Sequence, residues 1–175
     1  MNYADIKKVD VANGPGTRVS LFVSGCNHHC KGCFNQCAWD FNYGEKFTEE
    51  TMNKILEDLD KPYIKGLTLL GGEPLEHENQ KGLLPLVKKV KEKFPEKTIW
   101  CYTGFDFEKD VSGRMMKEWQ ETKELMKYVD VLVDGKFQEE KKDIKLRFRG
   151  SSNQRIIDVP KSFQQNKVVM TEFMN

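Results

Sequence analysis

The residues best suited to chemistry are cysteines, and three of the five in this 175-residue chain lie between positions 26 and 33. Three residues separate Cys26 from Cys30, and two residues separate Cys30 from Cys33. Thiolates so close together on one loop are typical ligands of a soft metal ion or of an iron–sulfur cluster. Three such ligands leave one position of a four-ligand site open, and chemistry takes place at an open position. The spacing therefore predicts a metal or cluster site with an open coordination position.

Two alternatives close the site with a fourth ligand from this chain. A structural zinc site would take that ligand from one of four side chains: Cys37, Cys101, His28 or His29. A closed iron–sulfur electron carrier would use Cys37 as its fourth thiolate. A disulfide framework is the weaker interpretation, because the number of cysteines is odd and three of them are crowded together. The spacing alone leaves the open site and both closed sites as candidates.

Composition and charge place the chain among ordinary soluble globular proteins. Hydrophobic residues make up 38% and charged residues 31%, and 175 residues suffice for one domain with a substantial core. The formal net charge of +1 gives no electrostatic reason to expect binding to nucleic acid or to an anionic membrane surface. The sequence shows no apolar run long enough to span a bilayer and no signal peptide, so we expect a cytoplasmic protein.

Alternating strand and helix signals predict a parallel sheet that positions the cysteine loop. Apolar, β-branched runs indicate strands over residues 17–23, 66–70, 98–102 and 129–133, with a weaker fifth over 155–159. The helical signals between them are a cap at Thr48 for a helix to about Leu59, Pro85 in the first turn of a second, and Met115, Trp119, Thr122 and Met126 in a third. The cysteine loop starts where the first strand ends, the edge at which α/β folds place their sites.

The order of these elements predicts an α/β fold with parallel strands and outer helices. At most five strands are too few for a complete eight-stranded barrel, and the chain is also too short for one. We therefore expect an incomplete TIM-type barrel or an open α/β sheet. The patterning weakens from residue 161 to the C terminus, so we expect this tail to be loosely held.

The spacing Cys-x-x-x-Cys-x-x-Cys resembles that of the radical S-adenosylmethionine enzymes. A Gly-Gly-Glu-Pro turn at 71–74 follows the second predicted strand, where members of that superfamily have a turn of this type. Glycines let backbone carbonyl groups approach an ammonium group, and the Glu73 carboxylate would neutralise it. The resemblance implies one [4Fe-4S] cluster, with Cys26, Cys30 and Cys33 on three irons and S-adenosyl-L-methionine on the fourth. It also favours the incomplete barrel of that superfamily over an open sheet.

Further motifs narrow the resemblance to one family. In order they are Asn-Gly-Pro-Gly-Thr-Arg at 13–18, the cysteine loop, Gly-Gly-Glu-Pro-Leu at 71–75, Trp-Cys-Tyr-Thr-Gly at 100–104, Val-Leu-Val-Asp-Gly-Lys-Phe at 131–137 and Phe-Arg-Gly-Ser-Ser-Asn-Gln-Arg at 148–155. This series resembles the activating proteins of anaerobic ribonucleoside-triphosphate reductase, which are glycyl-radical activating enzymes. The resemblance covers about residues 1–158, so we assign that range to an activase domain and 159–175 to a C-terminal tail of unknown role.

The resemblance implies an enzyme that reductively cleaves S-adenosyl-L-methionine to a 5′-deoxyadenosyl radical and installs a glycyl radical on the reductase. The implied partners are the large subunit of that reductase and an electron donor of the flavodoxin or ferredoxin type. No catalytic side chain is implied beyond the cluster and the bound cofactor. The implied cofactor-binding residues are Gly32, Cys33, Phe34, Gly71, Gly72, Glu73, Thr103, Asp134 and Lys136.

Some positions depart from the family or need a separate interpretation. Phe34 stands where the family often has tyrosine, so stacking must replace any hydroxyl contact there. Cys37 and Cys101 are not ligands in the family, and Cys101 suits a small core position in its strand. We expect His28 to hydrogen-bond near the cluster. The polar segment 149–155 is expected to contact the partner or to close over the site.

Overall fold

Seven strands form one sheet in the computed structural model, which describes residues 1–174. The strands are β1 (Asn2–Asp10), β2 (Thr17–Val23), β3 (Glu45–Lys46), β4 (Ile64–Gly71), β5 (Thr98–Tyr102), β6 (Val131–Asp134) and β7 (Arg155–Asp158). Their order across the sheet is β3-β1-β2-β4-β5-β6-β7. The four strands β2, β4, β5 and β6 are mutually parallel, whereas β1, β3 and β7 pair antiparallel with their neighbours. The protein is thus a mixed α/β fold with a partly parallel sheet.

Helical segments connect the parallel strands and follow the last strand. The α-helices are α1 (Glu49–Leu59), α2 (His77–Lys93), α3 (Met116–Glu118), α4 (Gln120–Leu125) and α5 (Val159–Gln165). A π-helical segment (Phe107–Met115) leads into α3, and short 3-10 turns occupy Gln36–Trp39 and Glu139–Lys141. In residues 1–174, no helix is both long enough and apolar enough to cross a membrane.

The predicted start of α1 is confirmed by its hydrogen bonds. The Thr48 hydroxyl accepts a hydrogen bond from the Thr51 amide, and the Thr51 hydroxyl accepts one from the Thr48 amide. This reciprocal arrangement satisfies two backbone donors at the helix start. Ile55, Leu56 and Leu59 then lie on the buried face of the helix. The cap and the apolar face together fix where α1 begins and which side faces the sheet.

The two faces of the sheet are covered differently. One face packs against the helices in the main core, to which Leu67, Leu69 and Cys101 belong. The opposite face supports a smaller cluster around Trp100, against which Tyr102 packs. Successive residues of a strand point to opposite faces, so Cys101 lies in the main core while its two neighbours face the other side. The prediction that Cys101 is a core residue is confirmed.

Most predicted strands are present, with small differences at their ends. The strands predicted over 17–23 and 98–102 have those bounds, and the one predicted over 66–70 lies within β4. The fourth begins at Val131, two residues later than predicted, and the fifth pairs antiparallel with β6. β1 was not predicted, because its charged residues hide the alternation that marks a strand.

Two predictions about the helices were wrong. Pro85 lies inside α2, which begins at His77, and not in its first turn. Proline lacks the backbone N–H that an interior helix position would donate, but the helix continues on both sides of it. The helix predicted from Met115 to Met126 is divided, because Trp119 has an extended backbone (φ −124°, ψ 119°) between α3 and α4.

The C-terminal tail is packed, contrary to the expectation of a loose end. Val169 accepts a hydrogen bond from the Asp158 amide, and the Thr171 amide donates to the Ile156 carbonyl. These bonds place the segment after α5 along the outer edge of β7. The pairing was not visible in the sequence, because an edge contact of three residues has no periodicity of its own.

Candidate active site

A cavity of about 380 Å³ lies where the central parallel strands end. Phe22, Leu70 and Tyr102 line it from the carboxyl-terminal ends of β2, β4 and β5. Its lining also includes all three clustered cysteines, Cys26, Cys30 and Cys33. The structure therefore brings the predicted ligands to the sheet edge at which α/β folds place their sites.

Backbone hydrogen bonds fix the cysteine loop on two sides. The Gly25 amide donates to the Ala38 carbonyl at 2.7 Å, which joins the loop to the following 3-10 turn. The Gly25 carbonyl accepts from the Glu73 amide at 2.8 Å, which joins it to the turn after β4. Gly72 lies where these segments meet, and a Cβ there would be 2.6 Å from the Gly25 oxygen. Gly72 is therefore required by close backbone packing, whatever it binds.

The Glu73 carboxylate connects three elements around the cavity. Only 1% of Glu73 is exposed, and its Oε1 accepts from the Leu75 amide (2.8 Å) and the Thr103 hydroxyl (2.9 Å). Its Oε2 accepts from the Gly104 amide (2.7 Å) and lies 2.8 Å from His28 Nε2. An ionised carboxylate has about four acceptor sites, so donors of this chain occupy all of them. Glu73 thus holds the β4 turn, the end of β5 and the cysteine loop together.

The cysteine thiols are buried to different degrees and form no disulfide. Burial raises the pKa of Cys26 to about 11. Burial also raises the pKa of Cys30, with a further contribution from Cys33, and Lys136 opposes the rise. A thiolate in this environment needs a nearby cation, and iron in a cluster would supply one. The donor set therefore fits an iron-containing group.

The separation of the three sulfur atoms favours a cluster over a single ion. Sulfur ligands of one tetrahedral zinc ion are about 3.8 Å apart, given a Zn–S bond of about 2.3 Å. Within residues 1–174, only one set of three His, Cys, Asp or Glu residues has its ligand atoms all within 4.8 Å of one another. That set is Asp106, Glu108 and Asp134. At least two of the three cysteine sulfurs are therefore more than 4.8 Å apart, farther than the sulfur ligands of one tetrahedral zinc ion.

The candidate fourth ligands differ in position. Cys37 is exposed on the 3-10 turn and does not line the cavity, and Cys101 is fully buried in β5. His28 lines the cavity but its Nε2 atom is bonded to Glu73, which confirms a hydrogen-bonding role. The His29 ring stacks on Trp39, with centroids 4.3 Å apart. These positions favour neither the closed carrier with Cys37 nor a zinc site closed by Cys101.

The predicted cofactor-binding residues fall into two groups. Those that line the cavity are Cys33, Phe34, Gly71, Gly72, Glu73 and Thr103, and those that do not are Gly32, Asp134 and Lys136. Phe34 is 96% exposed, so its ring lies at the mouth of the cavity. Lys136 is exposed but close enough to influence the pKa of Cys30.

Asp134 is committed to a different contact. Its carboxylate accepts hydrogen bonds from the Arg155 guanidinium (2.6 and 3.0 Å) and from the Phe107 amide (2.8 Å). The same guanidinium also pairs with Glu108 at 2.6 Å. A cation of this chain therefore already occupies the acidic group formed by Asp106, Glu108 and Asp134. Asn153 also donates to the Lys136 carbonyl at 2.8 Å. The 153–155 part of the predicted partner loop is therefore bound to the end of β6.

Several lining residues were not predicted from the sequence. They are Ala12, Asn13, Phe22, Asn35, Trp39, Leu70, Tyr102, Phe137, Leu146 and Phe148. Gly150 and Gln154, which also line the cavity, belong to the segment 149–155 that was expected near the site. Strand-end position was a usable signal for Phe22, Leu70 and Tyr102. Leu146 and Phe148 had no comparable signal, because an irregular segment brings them to the cavity.

Comparison with known proteins identifies first a class and then a family. A profile of the family described as a 4Fe-4S single cluster domain matches residues 12–157. That match covers well over half of the chain and includes every cluster ligand predicted above. The chain is thus a single-cluster iron–sulfur protein.

Three relatives share one name, anaerobic ribonucleoside-triphosphate reductase-activating protein. The Vibrio cholerae protein is 46% identical over 157 residues, which cover 88% of this chain and 96% of that protein. The protein of Enterobacteria phage T4 is 46% identical over 156 residues, covering 89% and 93%. The Escherichia coli K12 protein is 42% identical over 156 residues, covering 88% and 96%. This chain belongs to the same family, which confirms the resemblance read from its motifs.

Proposed function

We propose that this protein is the enzyme that activates an anaerobic ribonucleoside-triphosphate reductase by installing a glycyl radical on it. The name of its relatives supports the reductase as the partner. The observation that supports the chemistry best is the set of three free cysteines on one cavity, without a fourth cysteine in its lining among the described residues. Cys26, Cys30 and Cys33 would hold three irons of one [4Fe-4S] cluster.

The cavity would bind S-adenosyl-L-methionine next to that cluster. When bound, the cluster and this cofactor supply an electron and a 5′-deoxyadenosyl radical, which removes a hydrogen atom from a glycine of the reductase. Gly71, Gly72 and Glu73 would bind the amino-acid end. Donors of this chain already fill the acceptor sites of the Glu73 carboxylate, so an ammonium group would have to displace one of them. We expect it to displace His28, because the other donors are two backbone amides and the buried Thr103 hydroxyl.

The other predicted residues would contribute to cofactor binding either directly or through their neighbours. Cys33, Phe34 and Thr103 line the cavity and would contact the cofactor directly. Gly32 and Lys136 belong to segments beside the lining and would act through their neighbours. The Asp134 carboxylate is bonded to Arg155 and so would not contact the cofactor itself. It would instead fix the end of β6 and thereby position Lys136, which follows two residues later.

We also propose a fold type, a cellular location and an electron source for this protein. We take the parallel strands β2, β4, β5 and β6, with a site at their carboxyl ends, as an incomplete TIM-type barrel. A cytoplasmic location suits five free cysteines, since a reducing compartment keeps them so. A flavodoxin or ferredoxin type of protein would donate the electron.

The decisive experiment reconstitutes the protein anaerobically with iron and sulfide, reduces it and adds S-adenosyl-L-methionine. We expect 5′-deoxyadenosine by chromatography and, after addition of the reductase, a glycyl radical by electron paramagnetic resonance. Absence of 5′-deoxyadenosine from a protein with full iron content would contradict the proposal.

Cysteine variants test the ligand set. Cys26→Ala, Cys30→Ala and Cys33→Ala should each lose the cluster, seen as bound iron and visible absorbance, because each removes one of three protein ligands. Cys37→Ala is the matched control on the 3-10 turn that follows the cysteine loop, and it should keep its iron. Loss of the cluster in the Cys37 variant would instead support the closed electron carrier.

A further inference from the structure

One wall of the cavity is an irregular segment, residues 146–150, which we call the wall segment. It precedes β7, and Leu146, Phe148 and Gly150 from it line the cavity. Phe148 has a φ of 60°, in the left-handed region that a bulky residue rarely adopts. Such a conformation persists only where the surrounding structure enforces it. The contacts that hold Phe148 therefore determine the shape of this wall.

Phe148 is held by contacts from three directions. The Tyr102 hydroxyl donates to its carbonyl at 2.7 Å. Its ring packs edge-on against Trp100, with centroids 5.5 Å apart, and against Phe173, with centroids 5.7 Å apart. The Arg147 guanidinium lies over both the Phe148 ring (4.8 Å) and the Phe173 ring (5.5 Å). Of these four partners, Tyr102 and Trp100 come from β5, Phe173 comes from the C-terminal tail, and Arg147 belongs to the wall segment itself.

The tail reaches the cavity side of the sheet by passing around its edge. Residues 169–171 pair with β7, which places the chain at the sheet border. Phe173 then packs on Trp100, with centroids 5.7 Å apart, and the Met174 sulfur accepts a hydrogen bond from the Ile156 amide at 3.4 Å. The last turn of the tail thus lies between the sheet and the wall segment, where Phe173 contacts both.

We propose that Phe173 is a positioning residue of the active site, through which the tail fixes the wall segment that contacts the glycine-bearing peptide of the reductase. This inference rests on the proposed function. The residues proposed for cluster and cofactor come from the cysteine loop and from the turns after β4, β5 and β6. The wall segment instead adds the apolar side chains of Leu146 and Phe148 from next to β7. That side of the cavity is available to a peptide whose reacting group is a glycine Cα.

The first test needs neither cluster nor cofactor. Lys145 and Arg147 are exposed, so trypsin reports how often the wall segment leaves its place. Phe173→Ala should raise the rate of cleavage there about fivefold or more, because one of the ring contacts of Phe148 is lost. Phe163→Ala is the matched control, since Phe163 is a half-exposed tail residue that packs on Phe107, away from the wall. It should change the rate by less than about twofold.

The second test uses the reconstituted protein and the reductase. In Phe173→Ala, the reductase concentration that gives half-maximal radical formation should rise about fivefold, with a smaller change in the maximal rate. Phe173→Leu, which keeps most of the apolar contact, should restore most of the loss, and Phe163→Ala should match the wild type. A purely structural role would change the amount of folded, iron-loaded protein and leave the half-maximal concentration unchanged.

The outcomes separate the two proposals. Failure of the wild-type protein to form 5′-deoxyadenosine would overturn the proposed function. The rates of trypsin cleavage would still show whether Phe173 holds the wall segment in place. Unchanged protection of the wall segment in Phe173→Ala, or an equal loss in Phe163→Ala, would overturn the inference. If Phe173→Ala does not fold, Phe173→Leu gives the same comparison with a smaller expected change.

Discussion

Among single residues, Arg18 has the most demanding environment. It is 1% exposed, and its guanidinium donates to the Thr68 hydroxyl and to the Leu67 and Thr98 carbonyls at 2.8 to 3.0 Å. Within residues 1–174, the guanidinium donates only to neutral hydroxyl and carbonyl groups. Burial lowers the pKa of Arg18 to about 10, so the side chain stays charged at neutral pH. Thr68 in turn donates to the Asn13 carbonyl, which connects Arg18 to a cavity-lining loop.

The hydrogen bonds of the buried Arg18 side chain should contribute measurably to stability. Arg18→Met should lower the free energy of unfolding by about 3 kcal/mol, because buried carbonyl groups lose their donor. Urea denaturation of the iron-free protein measures this. Lys65→Met removes an exposed cation from the neighbouring strand and should cost less than about 0.5 kcal/mol. A loss below 1 kcal/mol in Arg18→Met, on the order of an ordinary surface substitution, would contradict the assignment.

Single residues could be selected from the sequence where residue type alone limits the chemistry, and the structure places those selected here on one cavity. Thiol spacing identified Cys26, Cys30 and Cys33, and the double-glycine turn located Glu73. Phe148 and Phe173 were not predicted as site residues, because an aromatic side chain is equally suited to a core, a surface or a cavity. Their role depends on the path of the tail around the sheet edge, which sequence patterns do not encode.

At the scale of elements, Arg155 joins β7 to two others. Its guanidinium lies 2.6 Å from Asp134 on β6 and 2.6 Å from Glu108 in the π-helical segment. The Asp134 side chain is only 2% exposed, so it depends on this cation. Arg155→Met should therefore reduce the free energy of unfolding by about 3 kcal/mol, and adding Asp134→Asn should recover part of it. Arg114→Met, which removes exposed ion pairs, is the control and should cost less than about 1 kcal/mol.

The same variant makes a prediction about pH. The hydrogen bond from Arg155 holds the pKa of Glu108 below its ordinary value of 4.5. A carboxyl group whose pKa is lowered in the folded state stabilises the fold at pH values above its unfolded-state pKa. That stabilisation is lost as the pH falls through the folded-state pKa. The difference in unfolding free energy between wild type and Arg155→Met should thus narrow from about pH 6 to about pH 3. A difference independent of pH would mean that the Glu108 pair contributes nothing.

Elements were predictable where their own residues determine them. The apolar run of β2 and the cap at Thr48 are local signals, and both elements occur as predicted. β1 escaped prediction because its charged side chains face solvent, while pairing with β2 and β3 keeps it in the sheet. Tertiary packing also overrides the local preference at Pro85, which a helix interior ordinarily excludes.

At the scale of the whole molecule, the sheet and its helices form a core that does not need the metal site. The main core draws its residues from strands and helices, and the cysteine loop adds none to it. Removing iron with a chelator should leave the far-ultraviolet circular dichroism unchanged and lower Tm by less than about 10 °C. Loss of cooperative unfolding would contradict this prediction and would place the protein with small metal-dependent domains.

One border of the sheet carries charged residues and the other is covered by the tail, which has a consequence for the solubility of shortened chains. At one border, β3 has only two residues, Glu45 and Lys46, and both are charged and exposed. At the other, residues 169–171 cover the backbone of β7. A chain ending before residue 168 would present unpaired backbone groups of β7 at this border, and the Trp100 ring on the face of the sheet would lose its contact with Phe173. Copies of such a chain would join edge to edge, so the segment 169–171 also protects this border from aggregation.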